Sequence, residues 1–246
     1  MSTAAATTII KSVYRGPVTA LHYHPASGCL FTGTGCTIAA YDTASRKKVF
    51  EHHIPSQGTA VRGFASRGKA VVAFGNRFAV WLTASAGPSS SDVSVRVDRT
   101  DLSLPDFPRA ACFLSGSTCA LGYTHNFVEV VTTPGLAYEA KRVLCGNNDS
   151  MSFLVSSMTI FMCGSDAVVA AGTMFSEVVL WSATTGAILG TIRGHAGPVN
   201  MTFFSPESSS FVTASDDRTV RLWKQQQQQP PQQQRQHSCD NTAVQL

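Results

Sequence analysis

The chain has 246 residues, of which 43% are hydrophobic and only 14% are charged, and its formal net charge is +4. This balance predicts a globular protein with a sizeable core and excludes a disordered polyelectrolyte. No stretch is long and apolar enough for a membrane span, and the first residues lack the charged and apolar regions of a secretory signal. We therefore expect no membrane association.

The cysteines suggest a reducing compartment. Their number, seven, is odd, and no Cys-x-x-Cys pair occurs. Cys29, Cys112, Cys119 and Cys163 stand in apolar, strand-like sequence, where a free cysteine behaves as a small hydrophobic residue. Free thiols are typical of the cytosol or nucleus, and we predict a cytoplasmic location.

Short β-branched or aromatic runs recur along the chain, each after a stretch that favours a turn. After a first strand-like run, Thr7–Val13, they are Ile38–Asp42, Phe78–Trp81, Val128–Val131, Glu177–Trp181 and Val220–Trp223. Their spacing of about 40–50 residues is typical of repeats that each form a four-stranded unit. Five repeats are therefore readable, and the many glycines fit short strands joined by tight turns.

The fifth repeat is the most complete. Gly194-His195 is followed by Ser205-Pro206 and then by Thr213–Trp223, which contains Ser215-Asp216-Asp217 and ends in Leu222-Trp223. This order is typical of a WD repeat, which is one blade of a β-propeller. A single blade cannot bury both of its faces, so one blade predicts others. The sequence thus predicts an all-β WD-repeat β-propeller with about five blades.

We assign residues 1–224 to the blades and residues 225–246 to a disordered tail, because the tail is rich in glutamine and proline and has little to bury. The last repeat stops at its third strand. Thr7–Val13 could supply the missing fourth strand and close the ring. The alternative is an incomplete ring that is truncated or is completed by a longer chain, and we favour it because a five-bladed WD ring would be unusual.

Four side chains of the last repeat are expected to form a buried hydrogen-bonded tetrad: His195, Thr213, Asp217 and Trp223. A histidine and an aspartate beside a hydroxyl superficially resemble a nucleophilic triad. We favour the structural interpretation, in which the carboxylate fixes a tight turn, and we expect removal of the Trp223 side chain to cost about 3–5 kcal/mol. No catalytic residue is predicted.

Two further patterns resemble parts of ligand sites. Gly33-Thr34-Gly35 is a lone Gly-x-Gly without a third glycine or a following helix, so it predicts a turn between strands and not a nucleotide site. His22, His24, Cys29 and Cys36 lack the paired spacing of zinc ligands, and His24–Gly28 matches the turn after the first strand of a blade. We expect neither a metal nor a cofactor.

Two basic clusters could indicate nucleic acid, and one of them is Arg46-Lys47-Lys48. Arg62, Arg67, Lys69 and Arg77 lie close in sequence and could neutralise phosphates. The overall basic bias is mild, however, and such residues are more often solvated loop residues. The neighbouring aromatics, such as Phe64 and Phe78, fall at strand-core positions and are poor platforms for stacking bases.

Several segments resemble one family. They are Gly16–Leu21, Val61–Phe64, Phe74–Arg77, Thr124–Glu129, Val168–Trp181 and Ile192–His195, followed by Ser215–Trp223. Together they are similar to the N-terminal propeller of the large WD-repeat proteins that regulate ribose methylation of the tRNA wobble nucleotide. The resemblance spans about residues 14–223, and the Ala-Gly-Thr-x-Phe segment at Ala171–Phe175 is its most specific part.

This resemblance implies a non-catalytic adaptor. Members of the family pair with an RrmJ-like tRNA ribose methyltransferase and assist 2′-O-methylation of tRNA nucleotide 34, so tRNA would be contacted indirectly. The methyl donor would belong to the partner, and no small-molecule substrate is expected here. His125 and Asn126 match the family pattern and could contact partner or RNA, although a packing or turn role suits them as well. The alternatives are a generic WD-repeat scaffold without an RNA role and a truncated fragment without independent function.

Overall fold

A computed structural model describes residues 16–55, 60–87, 93–132, 140–147, 154–205 and 210–224, together with the backbone of 243–244. Within these ranges, twenty strands form five antiparallel sheets of four strands, and a single 3-10 turn, Cys145–Asn147, is the only helical element. This architecture confirms the predicted all-β, propeller-type fold with five blades.

Each sheet takes its four strands from consecutive stretches of the chain. The bounds are β1 (Val18–His24), β2 (Cys29–Thr34), β3 (Thr37–Asp42), β4 (Lys48–His53), β5 (Val61–Arg67), β6 (Ala70–Gly75), β7 (Phe78–Ala86), β8 (Val93–Asp101), β9 (Pro108–Phe113), β10 (Thr118–Tyr123), β11 (Phe127–Thr132), β12 (Ala140–Leu144), β13 (Val155–Cys163), β14 (Asp166–Thr173), β15 (Glu177–Ser182), β16 (Ile188–Arg193), β17 (Val199–Ser205), β18 (Ser210–Ser215), β19 (Val220–Lys224) and β20 (Ala243–Val244).

The position of a strand within its sheet explains its composition. The second strands β6, β10 and β14 are buried along almost their whole length because sheets pack on both of their faces. They are accordingly runs of alanine, valine and other apolar residues. The fourth strands β4 and β16 lie at the outer edge and are mostly exposed; β4 carries charged and polar residues, whereas β16 also exposes Ile188 and Leu189.

The sheets pack face to face in chain order. Their first strands β1, β5, β9, β13 and β17 lie side by side in that order, and each gap between successive sheets holds one apolar cluster. Each blade therefore depends on its immediate neighbours for its core, as expected of a repeat protein.

The outward faces of the first and last sheets carry exposed apolar side chains. Leu21 and Tyr23 on β1 are 64% and 54% exposed, and Met201 and Phe203 on β17 are 59% and 52% exposed. Within the described residues, β17 and β1 do not pack together in the way that successive first strands do. The five described blades therefore leave one apolar face open at each end of the series.

Both chain ends bear on the predicted ring closure. The expected strand Thr7–Val13 lies outside the described residues, and so does the predicted disordered tail apart from β20. The fourth position of the last sheet is taken by β20, which pairs with Val220 and Arg221 of β19. In the described part of the chain, no helix has the length and apolarity needed to cross a membrane.

Candidate interaction surface

The antiparallel order of the strands brings two sets of loops to the same end of every sheet. The turns between second and third strands lie there, and so do the connections from one sheet to the next. We call this end the upper surface; its described loops are 35–36, 76–77, 102–107, 124–126, 174–176, 194–198 and 216–219. The opposite end is the lower surface. Residues that loops present on a rigid scaffold are the usual means of binding in such folds.

The structure brings the four residues of the expected tetrad together at the upper end of the last blade. Trp223 Nε1 donates to Thr213 Oγ1 at 2.9 Å, and Thr213 Oγ1 lies 2.6 Å from His195 Nε2. His195 Nδ1 lies 2.8 Å from Asp217 Oδ2. In this arrangement the Thr213 hydroxyl donates to Nε2 and the Nδ1–H donates to the carboxylate, so each polar group has a partner.

The tetrad is enclosed by the protein. Thr213 is fully buried and His195 is 8% exposed, so the hydroxyl that would act as a nucleophile has no open path to a substrate. One expectation was wrong in part, because Trp223 is only partly buried. The indole lies on the face of β19 that packs against the fourth blade, beside Phe211.

The Asp217 carboxylate fixes the turn before β19. Burial alone would raise the pKa of Asp217, but the hydroxyl of Thr219, the backbone N–H of Ala196, the His195 ring and the backbone N–H of Thr219 all hydrogen-bond to the carboxylate. Together they hold its pKa well below the usual value. The ionised form is therefore the form that the fold stabilises.

We expect Asp217→Asn to lower the free energy of unfolding at neutral pH by about 1–3 kcal/mol, because charge-assisted hydrogen bonds are lost. The folded-state pKa is depressed, so this stabilisation is present above the ordinary carboxyl pKa near 3.8 and is lost as pH falls below it. Denaturant titrations between pH 7 and pH 2 should show the difference between wild type and Asp217→Asn shrinking toward acid. Asp216→Asn, at the exposed neighbour, is the control, and a difference that does not change with pH would contradict the assignment.

The other blades replace the tetrad with different polar pairs. Trp81 Nε1 donates to Asp101 at 2.9 Å, and Tyr123 donates its hydroxyl proton to Glu129 at 2.9 Å. Trp181 Nε1 donates to Asn126 Oδ1 of the preceding blade at 3.1 Å. The spacing of the third strands located both tryptophans, but it did not indicate their partners, because each partner comes from a loop or strand without a repeating motif.

The structure places five of the six predicted contact residues in two separate groups. Arg62, Arg77 and His125 lie at the upper surface and are exposed. Arg67 and Lys69 lie at the lower surface, where Arg67 donates to the carbonyl oxygens of Phe113 and Leu114 in the next blade. The six residues therefore do not form one basic patch, because the upper and lower ends of a blade are a strand length apart.

Asn126 is a packing residue and not a contact residue. It is 1% exposed, it binds Trp181, and it holds a left-handed backbone conformation with φ of 58° in the turn before β11. Asparagine tolerates this conformation better than most residues. Its neighbour His125 is half exposed, and its Nδ1 lies 2.9 Å from Asp106. Burial would raise the pKa of Asp106, but hydrogen bonds from His125 and from the backbone hold it below the usual value.

Large apolar side chains are exposed in the upper loops. Phe175 is 75% exposed, Met174 beside it is 57% exposed, and Phe107 is 47% exposed. The turn that carries Met174 and Phe175 is ordered by Thr173, whose hydroxyl accepts from the Phe175 N–H and donates to the Glu177 carbonyl. The segment Ala171–Phe175 thus projects an aromatic side chain from a fixed turn.

The side chains of His22 and His24 are engaged in hydrogen bonds within the fold, and Gly33 is a packing position. Both ring nitrogens of His24 are engaged, with Ser27 at 2.7 Å and with the Gly68 carbonyl at 2.8 Å, and His22 lies 2.7 Å from Ser66. Gly33 lies on β2, where a side chain would collide with Val61 of the next blade. Gly33 is a close-packing position near the end of β2, and the predicted turn between strands begins only at Gly35.

The cysteines differ in environment. Cys29 and Cys119 are fully buried, and burial raises the pKa of Cys145 to about 11. Cys112 is only partly buried and Cys163 is exposed at the end of β13, so the expected apolar setting is wrong for Cys163. All six described cysteines are free thiols.

These features define a WD-repeat β-propeller. The family model described as WD domain, G-beta repeat matches residues 186–224, which run from β16, the outer strand of the fourth blade, through β19 of the blade that holds the tetrad. The match is one repeat long, and the other blades are recognised from the structure.

Curated proteins match part of the chain. Periodic tryptophan protein 2 homolog from Mus musculus is 45% identical over 60 residues, which are 24% of this chain and 6% of that protein. Periodic tryptophan protein 2 from Saccharomyces cerevisiae is 42% identical over 60 residues, with the same two shares. Apoptotic protease-activating factor 1 from Homo sapiens is 38% identical over 69 residues, or 28% of this chain and 5% of that protein. The matched segment is thus a small fraction of each relative, and none of these names refers to tRNA methylation.

Proposed function

We propose that this chain is a non-catalytic WD-repeat scaffold that binds other proteins through its upper surface. The observation that carries the proposal is the exposure of Phe175, Met174 and Phe107 in loops of a rigid β framework. Exposed apolar side chains in ordered loops are typical of sites of protein interaction. The enclosed Thr213 hydroxyl supports a structural role for the triad-like residues.

The test compares two single variants of the full chain. Phe175→Ser removes an exposed aromatic of the upper surface, and Leu189→Ser removes a 56% exposed leucine on the outer strand β16. We expect tagged wild type and Leu189→Ser to retain the same partners in quantitative mass spectrometry, whereas Phe175→Ser loses at least one of them about tenfold. Equal losses in both variants, or none, would contradict binding through the upper surface.

A narrower second candidate is the adaptor role in tRNA methylation. It is supported by the resemblance of Ala171–Glu177 to the methylation regulators, because the same segment presents Phe175 to solvent. Its partner would be an RrmJ-like methyltransferase. The narrower role requires that this enzyme be lost with Phe175→Ser and that ribose methylation at tRNA nucleotide 34 fall when the chain is removed from the cell. If the chain has stable partners of another kind and methylation is intact without it, only the general scaffold function would remain supported.

A further inference from the structure

The first strand of every blade has a β-bulge at its upper end, so one residue per blade is pushed out of the sheet register. The bulged residues are Thr19, Arg62, Arg109, Ser156 and Asn200. Bulges of this kind change the direction of a side chain and occur often beside binding sites. These five positions are structurally equivalent, which allows their side chains to be compared directly.

In blades one and four the bulged residue has a short hydroxyl side chain, which donates a hydrogen bond to the next blade. Thr19 donates to the carbonyl of Val61 at 2.6 Å, and Ser156 donates to the carbonyl of Val199. Blades two and three carry arginine instead, and both Arg62 and Arg109 are exposed. The two neighbouring blades thus place a guanidinium where their counterparts place a structural hydrogen bond.

The two arginines line one cleft of about 550 Å³, together with Asn76, Phe107 and Pro108. Arg109 uses its Nε to bind Thr124 at 3.0 Å, which fixes the side chain. No carboxylate of the described residues forms an ion pair with Arg62 or Arg109. Two guanidiniums without carboxylate partners in one cleft form a site for an anion with several oxygens.

Arg77 positions the aromatic wall of this cleft. Its Nε donates to the carbonyl of Leu104 at 3.1 Å and its Nη2 donates to the carbonyl of Pro105 at 2.9 Å. Its guanidinium carbon also lies 5.9 Å from the centre of the Phe107 ring. The loop that bears Phe107 is therefore held in place, and the ring offers an apolar surface beside the two unpaired charges.

The surroundings favour a ligand with one anionic group over a polyanion. The neighbouring cleft, of about 380 Å³, is lined by Asp101 and Glu129 together with the loop Leu102–Pro105. Asp101 is paired with Arg99 and Glu129 with Arg142, so this neighbouring cleft offers little attraction to a second phosphate. The other predicted basic residues, Arg67 and Lys69, lie at the lower surface. Arg67 and Lys69 therefore do not extend the cleft into a continuous basic track of the kind that nucleic acid requires.

We propose that the Arg62–Arg109 cleft binds a phosphorylated serine or threonine of a partner protein, with a neighbouring apolar residue of that protein against Phe107. This inference rests on the proposed scaffold function and specifies one mode of recognition. Two guanidiniums suit a phosphate group, which carries about two negative charges and three acceptor oxygens. A partner would therefore bind only after phosphorylation.

The experiment measures binding of the purified full chain to three fluorescent probes by polarisation. The first is a pool of nine-residue peptides with a central phosphoserine and random flanks, the second is the same pool with serine, and the third is a nine-nucleotide oligouridine. We expect the phosphoserine pool to bind at least tenfold more tightly than the serine pool. Arg62→Gln and Arg109→Gln should each remove about tenfold or more of that affinity, whereas Arg67→Gln should retain it.

Arg109→Gln removes the contact with Thr124 and could therefore destabilise the fold. Arg62 is exposed on its strand, so Arg62→Gln tests binding without this effect. Equal binding of the two peptide pools, tighter binding of oligouridine, or an equal effect of Arg67→Gln would each overturn the proposal. Failure here, with partner capture that still depends on Phe175, would leave the scaffold function intact. Phosphopeptide binding without any captured partner would support phosphate recognition by the cleft and would contradict the scaffold function.

Discussion

Trp181→Ala is expected to lower the free energy of unfolding by about 3–5 kcal/mol, the usual cost of deleting a fully buried large side chain. Trp181 is 0% exposed and packs in the cluster between the third and fourth blades. Its loss also removes the hydrogen bond to Asn126, and it leaves that buried amide without its donor. Equilibrium unfolding in guanidinium chloride, followed by far-UV circular dichroism, measures the change.

The matched control is Trp223→Ala, at the equivalent position of the last blade. Trp223 lies on the face of β19 that packs against the fourth blade, but its side chain is only partly buried. We therefore expect a smaller loss than at Trp181. Equal losses at the two positions would contradict the expectation that the cost follows the burial of the indole.

Gly75→Ala is expected to lower the free energy of unfolding by about 1–3 kcal/mol through overpacking. A methyl group at Gly75 would lie 2.0 Å from the carbonyl oxygen of Ala60 and 2.6 Å from the ring of Phe78. The carbonyl belongs to the backbone at the start of the second blade, where the Val61 N–H is bonded to Gly35 of the first blade. Relief of the collision would thus disturb the contact between two blades.

Gly116→Ala serves as the comparison for Gly75→Ala. Nothing lies within 4 Å of a methyl group added at Gly116, which sits in the exposed turn before β10. The same change of residue should alter stability by no more than about 0.5 kcal/mol there. Thermal melts of both variants under one set of conditions provide the measurement, and similar shifts would contradict a collision at Gly75.

The sequence located the third strand of every blade, because that strand carries a tryptophan, a tyrosine or a run of β-branched residues at each repeat. Phe78–Trp81 falls within β7, Val128–Val131 within β11 and Glu177–Trp181 within β15. The last blade could be described residue by residue, since its tetrad follows a motif of fixed spacing. Fold class and repeat number were therefore predictable from periodicity alone.

The upper surface was less predictable for a geometric reason. Arg62 and Arg67 are near each other in sequence, yet they lie at opposite ends of β5, because a strand of seven residues spans roughly 20 Å. Arg62 and Arg109 are far apart in sequence and share one cleft, because equivalent bulges of adjacent blades lie side by side. Clustering in sequence is thus a poor guide to clustering at the end of a propeller.

The serial packing of the blades also bears on how the chain folds during synthesis. Each described sheet forms from consecutive strands and then packs on the sheet made just before it, so the order of folding can follow the order of translation. The first sheet has to wait, because Phe31 and Ile38 are covered by residues of the second blade. Each later blade can pack on the apolar face of the blade made just before it. In the described part of the chain, no C-terminal segment has to pair with a strand near the N-terminus.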